Sequence, residues 1–390
     1  MSCEVKNRIV FGNHKGGVGK SVLLFHTACE IAKSNPDNYV LVIDFTELGD
    51  VSKLFLGGVG NESKTDEGIG QQRLAANWKS GKTTTHLLQR AKESNLVDDL
   101  PEPQGQDSDK PRDMIDMFTL LSLGEHTGEM IDIQQFFVRP GVIRGDKHIP
   151  KNLHLIPSAG ERQKHGQFPA KELMNIKSSL FDALENGLDN KWIVLMDTDG
   201  DRSFSEYSLI AFAIARHVVI PLEADPFDFK RVRTLISEIN SMQENRQSNS
   251  KVKQIVWNKV TPYRDEASEV SSLYKPSTFD MDMILALNKC LHTIATDTKG
   301  TGLFSADVCG ENFTRDISTC VRTFGMSGGL AGYFGIPFCT DVVVAEWPKL
   351  ELEGVKLPSA NAKQISKMKA NIELFAQRIL SQDTESLAYQ

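Results

Sequence analysis

Short apolar runs alternate with stretches of helical periodicity along most of the chain. "RIVF" (8–11), "YVLVID" (39–44), "LHLIP" (153–157), "WIVLMD" (192–197), "HVVIP" (217–221) and "QIVWN" (254–258) are apolar almost throughout, as strands covered on both faces must be. "DVVVAE" (341–346) predicts a last strand. Residues 21–34 read as a helix of mixed apolar faces. Leu173, Ile176, Leu180, Phe181 and Leu184 share one face of a helix over 172–186. A helix follows near 205–216. Another over 229–240 turns Val232, Leu235, Ile236 and Ile239 inward, and Ile365, Met368, Ile372, Phe375 and Ile379 mark a closing helix. Parallel strands need a crossover between them, and these helices supply it. The pattern predicts an α/β fold with a mostly parallel central sheet and helices on both faces. Two stretches interrupt it: 58–150, polar with the loop-like centre "PEPQGQDSDKPRD" (101–113), and 263–335. Both are expected to be insertions into a single domain spanning 1–390.

Composition narrows the classes. The 390 residues carry a net charge of −7, so any contact with DNA needs a local basic patch. Candidates are Lys230, Arg231 and Arg233, then Lys251 and Lys253; a solvated helix face of mixed charge is the alternative. The six cysteines form no C-x-x-C pair and no metal-ligand spacing, which suits free thiols in a reducing compartment. No apolar run reaches about 18 residues, the length that spans a bilayer. The N-terminus lacks the apolar core of a signal peptide. The expected location is the cytoplasm, with no membrane partner.

The chemistry concentrates in "HKGGVGKS" (14–21), between the first strand and its helix. A phosphate-binding loop reads G-x-x-x-x-G-K-[ST]: backbone N–H groups cradle phosphate oxygens, the lysine reaches the terminal phosphates and the hydroxyl meets Mg²⁺. Gly19, Lys20 and Ser21 supply its end. His14 stands at the first glycine position, and Gly16 and Gly17 provide the freedom lost there. The second lysine, Lys15, makes the segment resemble the deviant Walker A motif of the ParA/MinD family of P-loop ATPases, closest in pattern to ParA-like partition proteins. "VLVIDFTELGDVS" (40–52) is similar to the family's second motif and "WIVLMDTDGD" (192–201) to its Walker B strand.

The resemblance implies ATP bound by Gly16, Gly17, Val18, Gly19, Lys20, Ser21 and Val22, with Mg²⁺ held by Ser21 and, through water, by Asp197. It implies that Lys15 reaches a partner's nucleotide in an ATP-bound homodimer. It also implies a switch that positions DNA or another cargo, with non-specific DNA and a ParB-like stimulator as partners. Asp197 has a helix-capping alternative. Asn258, in "IVWNKV" (255–260), either meets the adenine edge or caps a loop. The chain departs from the family in one respect: Asp44 matches the first acid of the D-x-D motif, but Thr46 stands at the second. Glu47 is the neighbouring candidate for the lost role, and Asp199 and Asp201 bind Mg²⁺, orient water or are solvated. Slow hydrolysis is the expectation. A metabolic ligase or kinase on the same P-loop fold, and an ATP-binding scaffold deficient in hydrolysis, are the alternatives.

Overall fold

The computed structural model describes residues 7–60, 68–94, 130–160, 168, 170–200, 205–244, 248–262, 276–298, 302–349, 351–352, 355–356 and 359–381. Seven strands make the central sheet: β1 (Asn7–Phe11), β2 (Tyr39–Asp44), β3 (Leu153–Ile156), β4 (Trp192–Asp197), β5 (His217–Leu222), β6 (Lys251–Val260) and β7 (Ser318–Arg322). Their order is β3-β2-β4-β1-β5-β6-β7, and every pairing is parallel. The chain leaves β1 toward one edge through β2 and returns to build the other through β5. β1 therefore lies where the winding reverses, and a crevice opens beyond its carboxyl end.

The strands are apolar throughout because alternate side chains enter two cores. Val10, Leu41, Ile43, Val194 and Met196 join one; Ile9, Phe11, Val40, Val42, Ile193 and Leu195 join the other. The second core is closed by α1 (Lys20–Ser34), α2 (Asp50–Phe55), α11 (Gly325–Phe334) and α12 (Ala362–Leu380). The first is closed by α4 (Thr84–Glu93), α6 (Ala170–Gly187), α7 (Glu206–Ile214), α8 (Pro226–Glu244), α9 (Thr278–Asp297) and α10 (Phe313–Ile317). Helices α3 (Ile69–Lys79) and α5 (Pro140–Arg144) complete the connections, and a two-stranded ribbon joins β8 (Glu351–Leu352) to β9 (Val355–Lys356). Each buried Leu, Ile or Val contributes about 1.5–3 kcal/mol to such cores. All five residues of the closing stripe, Ile365 to Ile379, are buried.

Two expectations are corrected. Residues 341–346 form no strand: Val344–Glu346 is a 3₁₀ turn and Val343 is exposed. The seventh strand is "STCVR", taken from the 263–335 stretch. Its polar side chains hid it from a search for apolar runs, and they are satisfied: Thr319 Oγ1 donates to Gln254 Oε1 and accepts from Arg378 at 3.0 Å, and Ser318 Oγ donates to Thr314 O at 2.6 Å. Phe181 is exposed rather than in the core, its ring 4.7 Å from the guanidinium of Arg8, which also pairs with Glu185. Among the described residues no helix is long and apolar enough to cross a membrane.

Candidate nucleotide-binding site

The loop from Gly12 to Gly19 leaves β1 at the reversal point and ends where α1 begins. Gly19 takes φ +84°, and no side chain caps the helix. The first turn of α1 holds no acid, so its free N–H groups and the positive end of its dipole face the crevice. Gly17 also takes a left-handed φ of +77°. These two positions require glycine, because a side chain there is strained.

Three other elements, β5, β6 and α8, hold the loop. Asn13 Nδ2 donates to Pro221 O at 2.6 Å, and its Oδ1 accepts from Lys15 N at 3.2 Å. His14, in place of the usual first glycine, meets Glu238 Oε2 on α8 at 2.6 Å. Asn258 Nδ2 donates to Val18 O at 2.7 Å and so braces the loop. Lys259 Nζ donates to Gly17 O at 2.5 Å and pairs with Glu223 at 2.7 Å. Glu223, Glu238 and Lys259 were not singled out from sequence. The usable signal was their place: Glu223 just beyond the carboxyl end of β5, Lys259 in the last residues of β6, and Glu238 on the helix that follows β5.

The two loop lysines differ. Lys20 is buried, and its Nζ donates to Lys15 O at 3.1 Å, pointing back along the loop. Lys15 turns outward to its own chain's acids. Its Nζ lies 2.8 Å from the carboxylate of Asp228 and 3.3 Å from Glu223. Burial opposes the charge on Lys15, but these two carboxylates outweigh it and raise its pKa.

Opposite the loop, Asp44 and Asp197 end β2 and β4 in direct register. Both are fully buried. Asp44 accepts from the amides of Thr46 and Ser52, each at 3.0 Å, and from both hydroxyls. Burial raises its pKa while these bonds pull it back. Neither oxygen of Asp197 makes a geometrically sound hydrogen bond. Burial and then the nearby Asp44 push its pKa well up, only partly offset by the Ser21 hydroxyl and Lys20. The helix-cap alternative for Asp197 supplies no such bonds. An orphaned buried carboxylate beside a serine hydroxyl is a donor set that fits a hard divalent cation.

Thr46 serves the loop after β2. It is buried, donates to Asp44 at 2.6 Å and accepts from Gly49 N at 3.0 Å. Glu47 is exposed, and its backbone N donates to Asp199 Oδ1 at 3.1 Å. Asp199 thus ties the β2 loop to the β4 loop, and Ser205 also donates to it at 3.2 Å. Asp201 lies outside the described residues. Of the basic candidates, Lys230, Arg233 and Lys251 are exposed. Arg231 stands 3.7 Å from Asp228. Lys253 is corrected: it is buried and donates to Ser381 O at 2.7 Å, because its strand is covered there by the end of α12.

A methyl group on Gly200 would lie 2.6 Å from Lys20 Nζ and 2.7 Å from both Gly16 N and Lys15 O. Gly200→Ala is therefore expected to push the loop out of shape and weaken any nucleotide binding there about 5- to 140-fold, at about 1–3 kcal/mol for such overpacking. Titration with a fluorescent nucleotide measures it; unchanged affinity would mean that the loop yields.

The sequence matches no protein-family model and no curated protein. Among solved structures, the ATP complex of an aspartate-to-alanine variant of McdA from Cyanothece superposes with a TM-score of 0.50 over 97% of each chain, at 12% identity. The chain has the ParA-like P-loop fold. Two further structures of ParA-like proteins align less closely. A pNOB8 ParA bound to nonspecific DNA has a TM-score of 0.44 at 14% identity, over 94% of this chain and 97% of that one. A plasmid partition protein from Borrelia burgdorferi B31, bound to AMPPNP, has a TM-score of 0.40 at 15% identity, over 66% of this chain and 78% of that one.

Proposed function

We propose that the protein is an ATP-dependent switch of ParA type that binds ATP·Mg²⁺, dimerises when loaded and hydrolyses slowly. The observation that carries it is the pairing across one crevice of an uncapped helix N-terminus and Lys20 with the orphaned carboxylate of Asp197. One side suits phosphate and the other a cation bound to phosphate. Ser21 and Asp197 would hold Mg²⁺, which supplies charge neutralisation at the transferring phosphoryl group. Lys20 would meet the terminal phosphates, and the amides from Gly16 to Val22 would cradle them. Lys15 would serve a second copy's nucleotide.

Slow turnover follows from Thr46. A hydroxyl bonded to Asp44 cannot take a proton from water as a carboxylate can, and the exposed Glu47 is anchored through its backbone. The same observation favours the second reading, an ATP-binding scaffold deficient in hydrolysis. Lys230, Arg233 and Lys251 remain the proposed contacts to non-specific DNA, with a ParB-like protein as the proposed stimulator and the cytoplasm as the proposed compartment. The chain is proposed as one domain, to whose sheet and core the 58–150 and 263–335 stretches contribute α4, α9, α10 and β7.

Light scattering on the ligand-free, ADP-bound and ATP-analogue forms tests the reading, together with phosphate release. The expected result is a dimer with the analogue alone, absent in Lys15→Ala, and fewer than about one turnover per second, below the range of about 1–10³ s⁻¹ common for enzymes. A monomer in every state would overturn the switch. A ligase or kinase would instead show phosphoryl transfer to a small acceptor.

A further inference from the structure

Lys15 is the lysine on which a two-subunit switch depends, and within a single chain its ammonium is already engaged. Asp228 lies in the first turn of α8 with 1% of its surface exposed. An acid at a helix start is ordinarily solvated and needs no cation. Here it is buried, and a buried carboxylate left without a counter-charge is strongly destabilising. Lys15 supplies that charge at 2.8 Å. The backbone N of Glu223 adds a long hydrogen bond to Asp228 at 3.4 Å. The second cation in reach, Arg231, stands one turn along α8 at 3.7 Å, with its side chain 40% exposed.

Glu223 links this pair to the loop from the other side. One of its oxygens takes Lys15 at 3.3 Å and the other takes Lys259 at 2.7 Å, and Lys259 is bonded to Gly17 O. The four charges alternate in sign, and both lysines contact or belong to the phosphate loop. A side chain parked in this way is not free to leave its subunit until something more negative than two carboxylates competes for it.

We infer that Asp228 and Glu223 form an intramolecular latch that holds Lys15 against its own chain, with Arg231 placed to take over Asp228 when Lys15 departs. This deepens the proposed switch, on which it rests for its consequence though not for the contact itself. Without a neighbouring triphosphate the latch stays shut, which keeps empty subunits apart. Two loaded subunits offer Lys15 a more highly charged partner. Arg231 then closes on Asp228, so that the carboxylate is not left bare. Asp228 and Glu223 are positioning residues in this scheme and touch no nucleotide.

The test labels lysines of the full chain with an amine-acylating ester and reads each site by mass spectrometry. Acylation runs through the neutral amine, so in the ligand-free protein Lys15 should react at least about tenfold more slowly than the exposed Lys230. The Asp228→Asn, Glu223→Gln double variant should bring Lys15 close to the rate of Lys230. Glu223→Gln alone, at a half-exposed position, should give an intermediate rise and decides the matter if the double variant does not fold. With an ATP analogue, the latch variants should self-associate at roughly tenfold lower protein concentration, as the loss of a partly exposed ion pair allows. Adding Lys15→Ala should erase that gain. Equal reactivity of Lys15 and Lys230 in the unaltered protein, or no rise in either variant, overturns the latch. Faster labelling with no self-association in any variant upholds the latch and overturns the switch.

Discussion

Lys20→Ala is expected to lower ATP affinity roughly 30- to 700-fold, the equivalent of about 2–4 kcal/mol for truncating one partner of a buried charged hydrogen bond. The ammonium is buried, and in the ligand-free chain it is held by the loop's own carbonyl, Lys15 O, at 3.1 Å. It is therefore already placed inside the cradle, and little ordering cost is left for the moment of binding. Alanine removes the charge and also the brace across the loop. The fold should tolerate the change, because the sheet and α1 keep their cores. Calorimetric titration with ATP·Mg²⁺ reads the loss, and a melting curve without ligand checks the fold. Lys15→Ala is the contrast: it should bind ATP nearly as well but fail to associate. If both variants bind ATP like the parent, the loop is not a phosphate site.

Asp197→Asn should make the ligand-free protein more stable and at the same time blunt its response to Mg²⁺. The aspartate is buried with neither oxygen soundly hydrogen-bonded, and burial and Asp44 both raise its pKa. The sign follows from linkage. Between its ordinary value near about 3.9 and its raised native value, the native state binds more protons than the unfolded chain, so stability falls as pH rises. Above that window the full penalty of a buried charge is in place, less what Ser21 and Lys20 return. Asparagine has the same shape and no charge. At neutral pH the gain should be about 1–3 kcal/mol. At roughly 1.2 °C per kcal/mol for a chain of this length, that is about 1–4 °C of melting temperature. The difference should vanish as the pH falls to about 4. ATP·Mg²⁺ should then raise the melting temperature of the parent far more than that of the variant. A variant less stable than its parent without ligand would mean that Asp197 is a structural residue.

Much of the architecture was legible in the order of residues because buried parallel strands carry a signal that survives without context. β2 and β4 fall where "YVLVID" and "WIVLMD" place them, and the closing stripe of α12 is buried as its period demands. β7 was not legible. It is an edge strand whose Thr319 side chain finds partners on Gln254 and Arg378, residues distant in sequence, so it carries no apolar run. "DVVVAE" had the run, yet Val344–Glu346 is a 3₁₀ turn with Val343 exposed.

The same division holds at the site. Spacing alone marked the candidate phosphate loop: glycines where the backbone turns left-handed, then Lys20 and Ser21 at the start of α1, are local features of one short segment. The register of Asp44 with Asp197, the tie from Asp199 to Glu47, the bond from Asn258 to the loop and the capture of Lys15 by Asp228 and Glu223 were decided only by tertiary structure. Each joins elements far apart along the chain. A side chain's partner there is set by which strand ends the sheet gathers at one edge, and no pattern along a single segment encodes that.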